Sequence, residues 1–336
     1  MQSPAGTPGE YRELKRLVAQ AGLFERQPVY YAIKIPATLA VLALGIVTVT
    51  LADSAGLQVI NAVLFAFVFT QIGFLGHDAG HHQVFRSARS NDWLGLICGN
   101  LLLGLSHGWW VDKHNRHHGH PNDPELDPDV EVPVLAFSEK QARSKRGLSQ
   151  HIVKYQAYLF FPLLMLEAIV LRFDSIRYLV EKKPRRALVE FLLVVGHFIW
   201  YFGLVFYFLP IGLGVLFVIV HQAVFGLYLG SVFAPNHKGM PMIGEEARLD
   251  FLHQQVLTAR NVRGHALTDF FYGGLNYQIE HHLFPRLSRN KLKQAQAITR
   301  SYCADHSIPY HETGWLQSYR EILQHFHQVS AVWREA

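Results

Sequence analysis

Three short histidine-rich clusters are the residues in this sequence whose types and spacing could do chemistry. They read His77-Asp-Ala-Gly-His81-His82, His114-Asn-Arg-His117-His118 and Gln278-Ile-Glu-His281-His282. On an α-helix, residues at i+3 and i+4 flank residue i on one face, so they can point at a common object. The residues that share a face are His77 with His81, His114 with His117 and His118, and Gln278 with His281 and His282. His82 is rotated off this face and is interpreted as a neighbour.

Imidazole nitrogens are the commonest protein ligands for transition metals, and neutral imidazoles need no counter-charge. So many converging nitrogens exceed what one ion can bind, which indicates two metal ions. Neutral ligands leave such ions strongly positive, a state suited to binding and reducing O₂. Next to a lipid substrate, this chemistry favours oxidation of an unactivated C–H bond.

The composition indicates that these clusters belong to a membrane protein. Half of the 336 residues are hydrophobic, and the 17% that are charged are concentrated in particular zones. Cys98 and Cys303 form no disulfide framework or CxxC metal motif. Residues 1–28 are polar and lack the apolar core of a signal peptide. The segments long enough to cross about 30 Å of hydrocarbon are 32–52, 57–76, 188–209 and 211–233.

The charge distribution predicts the topology. The turns at 53–57 and 210–212 contain no Lys or Arg, whereas basic residues crowd the other ends of the segments. By the positive-inside rule, both termini and all three clusters are cytoplasmic. The predicted all-α fold is one domain with four transmembrane helices in two hairpins, interfacial helices and a cytoplasmic histidine-rich di-metal cap. Its parts are a cytoplasmic segment 1–31, a hairpin 32–76, a cytoplasmic and interfacial part 77–187, a second hairpin 188–233 and a cytoplasmic part 234–336.

Three other apolar stretches are predicted to lie at the membrane interface. Crossing by residues 155–171 would place six following Lys and Arg residues outside and would invert the topology of the third cluster. Residues 93–107 are shorter and are treated in the same way. The C-terminal tail is amphipathic, and its apolar residues are Ile322, Phe326, Val329, Val332 and Trp333.

The clusters in their wider sequence resemble the three histidine boxes of the membrane fatty-acid desaturases. The matching stretches are Gly76–His82, Trp109–His118 and Leu275–Pro285, and the order and spacing agree over most of residues 70–290. The Gln that opens the third box resembles the front-end group, which inserts a double bond between an existing one and the carboxyl end. Many eukaryotic front-end enzymes carry a fused cytochrome b5 domain, but its His-Pro-Gly-Gly motif is absent here.

The resemblance implies two iron ions, O₂, and a fatty acyl lipid or acyl-CoA substrate, with no nucleic-acid partner. Electrons are expected from a separate ferredoxin or from cytochrome b5 with its reductase. Asn236-His237 and Leu257–Val262 are similar to a stretch that adds a histidine ligand and supports the site. The implied ligands are His77, His81, His114, His117, His118, His237, His281 and His282. Gln278 is implied in catalysis, with Asp78, Asn236, Asn261 and Glu280 in supporting positions.

Other interpretations of these residues stay open. A hydroxylase on the same scaffold shares the first hydrogen removal. A histidine-rich metal transporter would place its ligands near the bilayer midplane, whereas these clusters lie just outside the apolar segments. The histidines could also be surface or core residues without metal, although three clusters with helical spacing rarely arise together. His197 and His221 fall inside the segments, where a polar group usually lines a cavity or finds a partner.

Overall fold

The computed structural model describes residues 8–244, 247 and 249–335, and these residues are mostly helical. Its α-helices are α1 (Pro8–Gln20), α2 (Pro28–Leu51), α3 (Ala55–Gly80), α4 (Ala88–Leu96), α5 (His107–Gly119), α6 (Glu139–Ser144), α7 (Gly147–Lys154), α8 (Gln156–Leu164), α9 (Glu167–Lys182), α10 (Ala187–Phe208), α11 (Ile211–His237), α12 (Phe251–Leu257), α13 (Ala266–Phe271), α14 (Gln278–Leu283), α15 (Leu292–Asp305), α16 (Trp315–Val329) and α17 (Ala331–Arg334). A π-helical segment spans Ile97–Leu103, and a 3₁₀ turn spans Arg289–Lys291. The strands β1 (Asn261–Val262) and β2 (Glu312–Thr313) pair in parallel.

The chain divides into two compact units. The span unit comprises Arg26–Asp112 and Pro162–Ser231, and the histidine unit comprises the described residues of Met1–Glu25, Lys113–Phe161 and Val232–Ala336. Helices α5, α8 and α11 begin in one unit and end in the other. The prediction of one functional domain stays a prediction.

Four helices in the described part of the chain are long and apolar enough to cross a membrane, namely α2, α3, α10 and α11. The predicted segments are therefore confirmed as helices, but α3 and α11 extend four residues beyond the predicted ends at 76 and 233. Hydropathy marks where apolar residues stop, whereas a helix continues until its backbone hydrogen bonding is interrupted. As a result, His77 and His237 both lie in the last turns of long helices.

Helix α3 forms the centre of the span unit. In its most apolar stretch, 61% of the residues are buried, compared with 22–28% in the other three long helices. Phe65, Phe69 and Ile72 of α3 are fully buried among neighbouring aromatic rings. The three outer helices expose many apolar side chains, as expected for surfaces that contact lipid.

Buried polar side chains of the span unit bind to helix backbones. The amide of Gln58 donates to the carbonyls of Thr48, Val49 and Ala52, at 2.9, 3.3 and 2.8 Å. These carbonyls lie at the C-terminal end of α2, where intrahelical donors run out. Gln58 thus closes the turn between α2 and α3.

The two shorter apolar stretches do not form single long helices. Residues 93–107 lie in α4 and the π-helical segment, which meet α5 at a bend of 111°. A chain bent in this way is either a broken span or a re-entrant segment. Residues 155–171 are divided between α8 and α9, and neither helix passes the length and hydropathy test for a span.

The histidine unit has its own apolar core. Leu14 and Val18 of α1 pack with Leu252 and Val256 of α12 and with Leu283 of α14. The amphipathic tail was predicted to lie at the membrane interface, and this prediction is wrong for its apolar face. Ile322 and Phe326 are fully buried and Val329 nearly so, while Val329, Val332 and Trp333 pack around Ala136, Ala142 and Val153. Helical periodicity cannot distinguish a face that contacts lipid from one that contacts protein.

Candidate metal centre

Three histidines of the histidine unit converge on one point. They are His117 of α5, His237 at the end of α11 and His282 of α14, and all three are buried. The Nε2 atom of His237 lies 3.3 Å from Nε2 of His117 and 3.1 Å from Nε2 of His282. The three elements that carry them are far apart in sequence, so the fold itself creates this cluster.

The other ring nitrogen of each histidine has a hydrogen-bond acceptor. Nδ1 of His117 donates to the Asp127 carboxylate, with both oxygens at 3.0 Å. Nδ1 of His237 donates to the Thr258 carbonyl at 3.0 Å, and Nδ1 of His282 donates to Oε1 of Gln255 at 2.8 Å. A neutral imidazole has one N–H, so all three Nε2 atoms carry lone pairs.

Three lone pairs that face one another at these distances repel unless a positive charge lies between them. The arrangement therefore fits a bound metal cation, with each histidine tautomer fixed by its second partner. Burial, and then the neighbouring histidines, hold the pKa of His282 well below its usual value. Because a metal ligand must be the neutral imidazole, this shift favours binding.

A second group of imidazoles lies beside the first in the same unit. Nε2 of His118 is 3.0 Å from Nε2 of His114 and 3.1 Å from Nε2 of His281. The ring of His118 stacks on that of His282, with centroids 4.1 Å apart. The histidines of the second and third clusters thus form two adjoining nitrogen-rich groups, as the helical spacing predicted.

The first histidine cluster belongs to the span unit and ends helix α3. The rings of His77 and His81 are 4.7 Å apart, and the Trp110 ring lies 5.3 Å from His77. Gly80 permits this packing, because a Cβ there would lie 2.2 Å from the Trp110 ring. His82 has a positive φ of 56° and its ring approaches Asp92 at 3.7 Å, in keeping with its interpretation as a neighbour.

Gln278 lies at the three-histidine cluster. Its Nε2 is 3.0 Å from Nε2 of His237, and its Oε1 accepts a hydrogen bond from Asn236 at 3.0 Å. The Oδ1 atom of Asn236 is buried and has no hydrogen-bond partner within the described part of the chain. Turning both amides over would direct Oε1 of Gln278 at the cluster and give Asn236 Oδ1 an N–H donor. A cation in the cluster favours that arrangement, because it attracts the amide oxygen.

Asn261 and Glu280 support the short helix α14. Oδ1 of Asn261 accepts the Ile279 backbone N–H at 2.9 Å, and its Nδ2 donates to Glu280 at 2.7 Å. Tyr310 donates to the other Glu280 oxygen at 2.8 Å. Burial raises the pKa of Glu280 to about 7, against the opposing effect of these hydrogen bonds. Glu280 therefore supports α14 through Asn261 and Tyr310.

Asp78 has a comparable place in the span unit. It accepts a hydrogen bond from Tyr31 at 3.0 Å, and its Oδ1 lies 3.7 Å from Nδ1 of His77. Tyr31 also donates to Gln83 at 3.2 Å. These contacts tie the end of α3 to α2 next to the first cluster.

Sequence reasoning missed several residues that hold the cluster. Asp127 and Gln255 orient His117 and His282, and Gln255 also donates to the His118 carbonyl at 3.0 Å. Arg260 is buried and binds the Pro235 and Lys238 carbonyls on either side of His237. The only sequence signal for Asp127 is a polar loop after the second cluster, which many surface loops would share.

Comparison with known proteins identifies the family. A family model described as "Fatty acid desaturase" matches residues 55–314, most of the chain. The chain belongs to the fatty acid desaturase family. The resemblance read from the three histidine boxes is thereby confirmed.

Several relatives of this desaturase-family chain are similar over most of its length. It is 30% identical over 330 residues to the "Acyl-lipid (9-3)-desaturase" of Physcomitrium patens, covering 96% of this chain and 62% of that protein. It is 32% identical over 314 residues to a "Delta(8)-fatty-acid desaturase" of Euglena gracilis, covering 90% of this chain and 74% of that protein. It is 30% identical over 328 residues to a "Delta(6)-fatty-acid desaturase" of Caenorhabditis elegans, covering 94% and 73%. The chain thus spans about two thirds to three quarters of the length of these relatives.

Proposed function

We propose that the chain is an O₂-dependent di-iron desaturase that introduces a double bond into a fatty acyl chain. The observation that carries this proposal is a buried set of three Nε2 lone pairs, in which Nε2 of His237 lies 3.3 Å from that of His117 and 3.1 Å from that of His282. Membership of the desaturase family and the four apolar helices support it.

The proposed metal ligands are the seven box histidines and His237. They are His77, His81, His114, His117, His118, His237, His281 and His282. Iron is favoured over zinc because the reduction of O₂ needs a redox-active metal, and Zn²⁺ has no redox chemistry. Two iron ions, when bound, would supply the reduction of O₂ and the removal of hydrogen from adjacent methylene groups.

Other residues of the chain orient the histidine ligands and keep water away from the site. Asp127, Thr258 and Gln255 keep Nε2 of their histidines free of protons by accepting the Nδ1 hydrogens. We assign Gln278 to the site through its amide oxygen, as a weak ligand or as the acceptor for a bound water. Burial of the cluster excludes bulk water, which would otherwise consume a strong oxidant.

The substrate and regiochemistry belong to the same proposal. The named relatives act at the delta-6 and delta-8 positions or are acyl-lipid (9-3)-desaturases. Together with Gln278 at the start of the third box, these names favour front-end desaturation of an acyl lipid or acyl-CoA. A separate ferredoxin, or cytochrome b5 with its reductase, is the proposed electron donor, and the span and histidine units act as one desaturase domain.

We place both termini and the active site on the cytoplasmic side of the membrane. The basic residues that flank the long helices, and the absence of Lys and Arg from the two short turns, support this topology. Single cysteines at the exposed positions Ser54 and Gly212 should react only with an outside reagent, and one at the exposed position Lys182 only from the cytoplasm. Outside labelling at Lys182 would contradict the topology.

Lipid analysis of an expressing host tests the function. We expect new double bonds on the carboxyl side of an existing one, and two irons per chain by elemental analysis of the purified protein. Two neighbouring histidines give a matched pair: His81→Ala should abolish the products, whereas His82→Ala should retain them. Hydroxylated lipids as the main products would replace desaturation with the hydroxylase reaction, and one zinc per chain without iron would overturn the di-iron proposal.

A further inference from the structure

The helix that carries the second histidine box begins in the span unit with all of its first backbone donors satisfied. Helix α5 starts at His107, whose N–H donates to Oδ1 of Asn100 at 3.0 Å. The Trp109 N–H donates to the Ser106 hydroxyl at 3.0 Å, and the Ser106 N–H donates to the Ser175 hydroxyl at 2.9 Å. Within the apolar part of a membrane, water cannot replace side chains that accept hydrogen bonds from the backbone.

Glu190 of α10 is the centre of this N-terminal cap. Its Oε2 accepts the Gly108 N–H at 3.0 Å, the Ser106 hydroxyl at 2.6 Å and the Asn100 amide at 3.2 Å. Glu190 is only 3% exposed, although it lies in the first turn of an apolar candidate span. A buried carboxylate there is costly, and the positive end of the α5 dipole together with three donors offsets that cost.

The fit between Glu190 and α5 is close. A Cβ on Gly108 would lie 2.6 Å from Oε1 of Glu190, so only glycine admits the carboxylate at this distance. In the same turn, two residues after Gly108, the Trp110 ring contacts the rings of both His77 and His81, with centroids 5.3 and 6.1 Å apart. The turn that Glu190 caps therefore contacts the first histidine box directly and continues as the helix that bears the second.

We propose that Glu190 is a positioning residue for the first histidine box: it fixes the first turn of α5 and, through Trp110 in that turn, the orientation of His77 and His81. This inference rests on the proposed function, because it takes His77 and His81 as iron ligands. Glu190 contacts no reacting atom, so its effect on catalysis passes through α5 and Trp110.

Two substitutions separate the geometry of the cap from its charge. Glu190→Ala removes the acceptor, and we expect kcat to fall about tenfold or more, as for other residues that orient ligands, with little change in KM. The Mössbauer spectrum of ⁵⁷Fe-loaded protein should change as well. Glu190→Gln can keep an oxygen at the Oε2 position, and it should restore most of kcat and the wild-type spectrum.

Gln58→Ala is the matched control, since Gln58 is also a fully buried capping side chain of the span unit but closes the remote end of α3. It should lower thermal stability without changing kcat or the iron spectrum. If Glu190→Ala behaves as Gln58→Ala does, with a wild-type spectrum and kcat, Glu190 is merely structural and the proposal is overturned.

Hydrogen exchange on metal-free protein tests the cap without relying on iron. Peptides covering α5 should exchange at least about tenfold faster in Glu190→Ala than in wild type, and Gln58→Ala should leave them unchanged. Unchanged α5 exchange in Glu190→Ala overturns the proposal. A wild-type protein that shows the exchange effect but binds no iron would overturn the di-iron function while leaving Glu190 as the cap of α5.

Discussion

Buried polar side chains have different roles in the two units of the molecule. In the span unit, Gln58 and Glu190 direct their polar atoms at helix ends that lack intrahelical partners. In the histidine unit, partners are bound to Nδ1 of His117, His237 and His282, so that the Nε2 atoms are left facing one another. Burial alone therefore does not reveal a functional polar group. What distinguishes a candidate metal ligand is that its lone pair faces the lone pairs of other imidazoles.

The comparison predicts the largest effect for a histidine at the centre of the cluster. His237→Ala removes the nitrogen that lies 3.3 Å from Nε2 of His117 and 3.1 Å from Nε2 of His282. We expect loss of at least one metal ion and a fall in desaturation of more than about 100-fold, since an open ligand position alters the whole site. Elemental analysis and gas chromatography of the acyl products measure both.

His325→Ala is the control for that substitution. His325 lies in the same unit, but its Nε2 donates to the Phe137 carbonyl at 3.0 Å and has no part in the cluster. We expect wild-type metal content and products. Equal losses in the two variants would mean that the effect of His237→Ala does not depend on its place in the cluster.

Gln278→Ala should have the next largest effect. The imidazoles remain to hold the metals, so the variant should keep much of its iron, whereas most of its activity should be lost with the amide oxygen or the water that it orients. Iron per chain and the rate of product formation are compared in the same preparation. Desaturation at the wild-type rate, with unchanged product positions, would remove Gln278 from the site.

Asp127→Asn should have a smaller effect. An amide oxygen can still accept the His117 N–H, but it lacks the charge that makes the imidazole a stronger ligand. We expect metal affinity to fall about 10-fold, at the low end for such partners, as measured by competition with a chelator. Affinity that equals the wild-type value would show that the negative charge of Asp127 does not strengthen His117 as a ligand.

In the span unit, Gln58→Ala tests whether a buried side chain that caps a helix contributes to stability alone. The Val49 and Ala52 carbonyls at the end of α2 lose this donor, whereas the Thr48 carbonyl keeps the Ala52 N–H. We expect a cost of about 1–3 kcal/mol for the polar groups left unsatisfied. The midpoint of thermal unfolding should fall by a few degrees, while iron content and product formation should match the wild type. Loss of iron in this variant would show that Gln58 affects metal binding as well as stability.

The sequence predicts the parts of the fold that have a strong local pattern. The apolar lengths predicted the four long helices, and the i, i+3, i+4 spacing predicted that the box histidines of α5 and α14 would converge. The partners of those histidines could not be predicted, because Asp127 and Gln255 reach them from loops and helices whose own sequences have no marked pattern. The prediction that the C-terminal amphipathic tail lies at the membrane interface was wrong for a related reason. Its apolar stripe predicts that this face is buried, but not the surface against which it is buried.

The parallel pair of β1 and β2 bears on the order in which the chain can assemble. Asn261, which caps α14 and binds Glu280, lies in β1, and β1 pairs with Glu312 and Thr313 of β2. The partner strand is synthesised well after the last box histidine, and Tyr310, the other support of Glu280, lies two residues before that strand. The third box can therefore reach its final position only after residues 310–313 have been synthesised. A metal ion that depends on this box can be held only once these residues have left the ribosome.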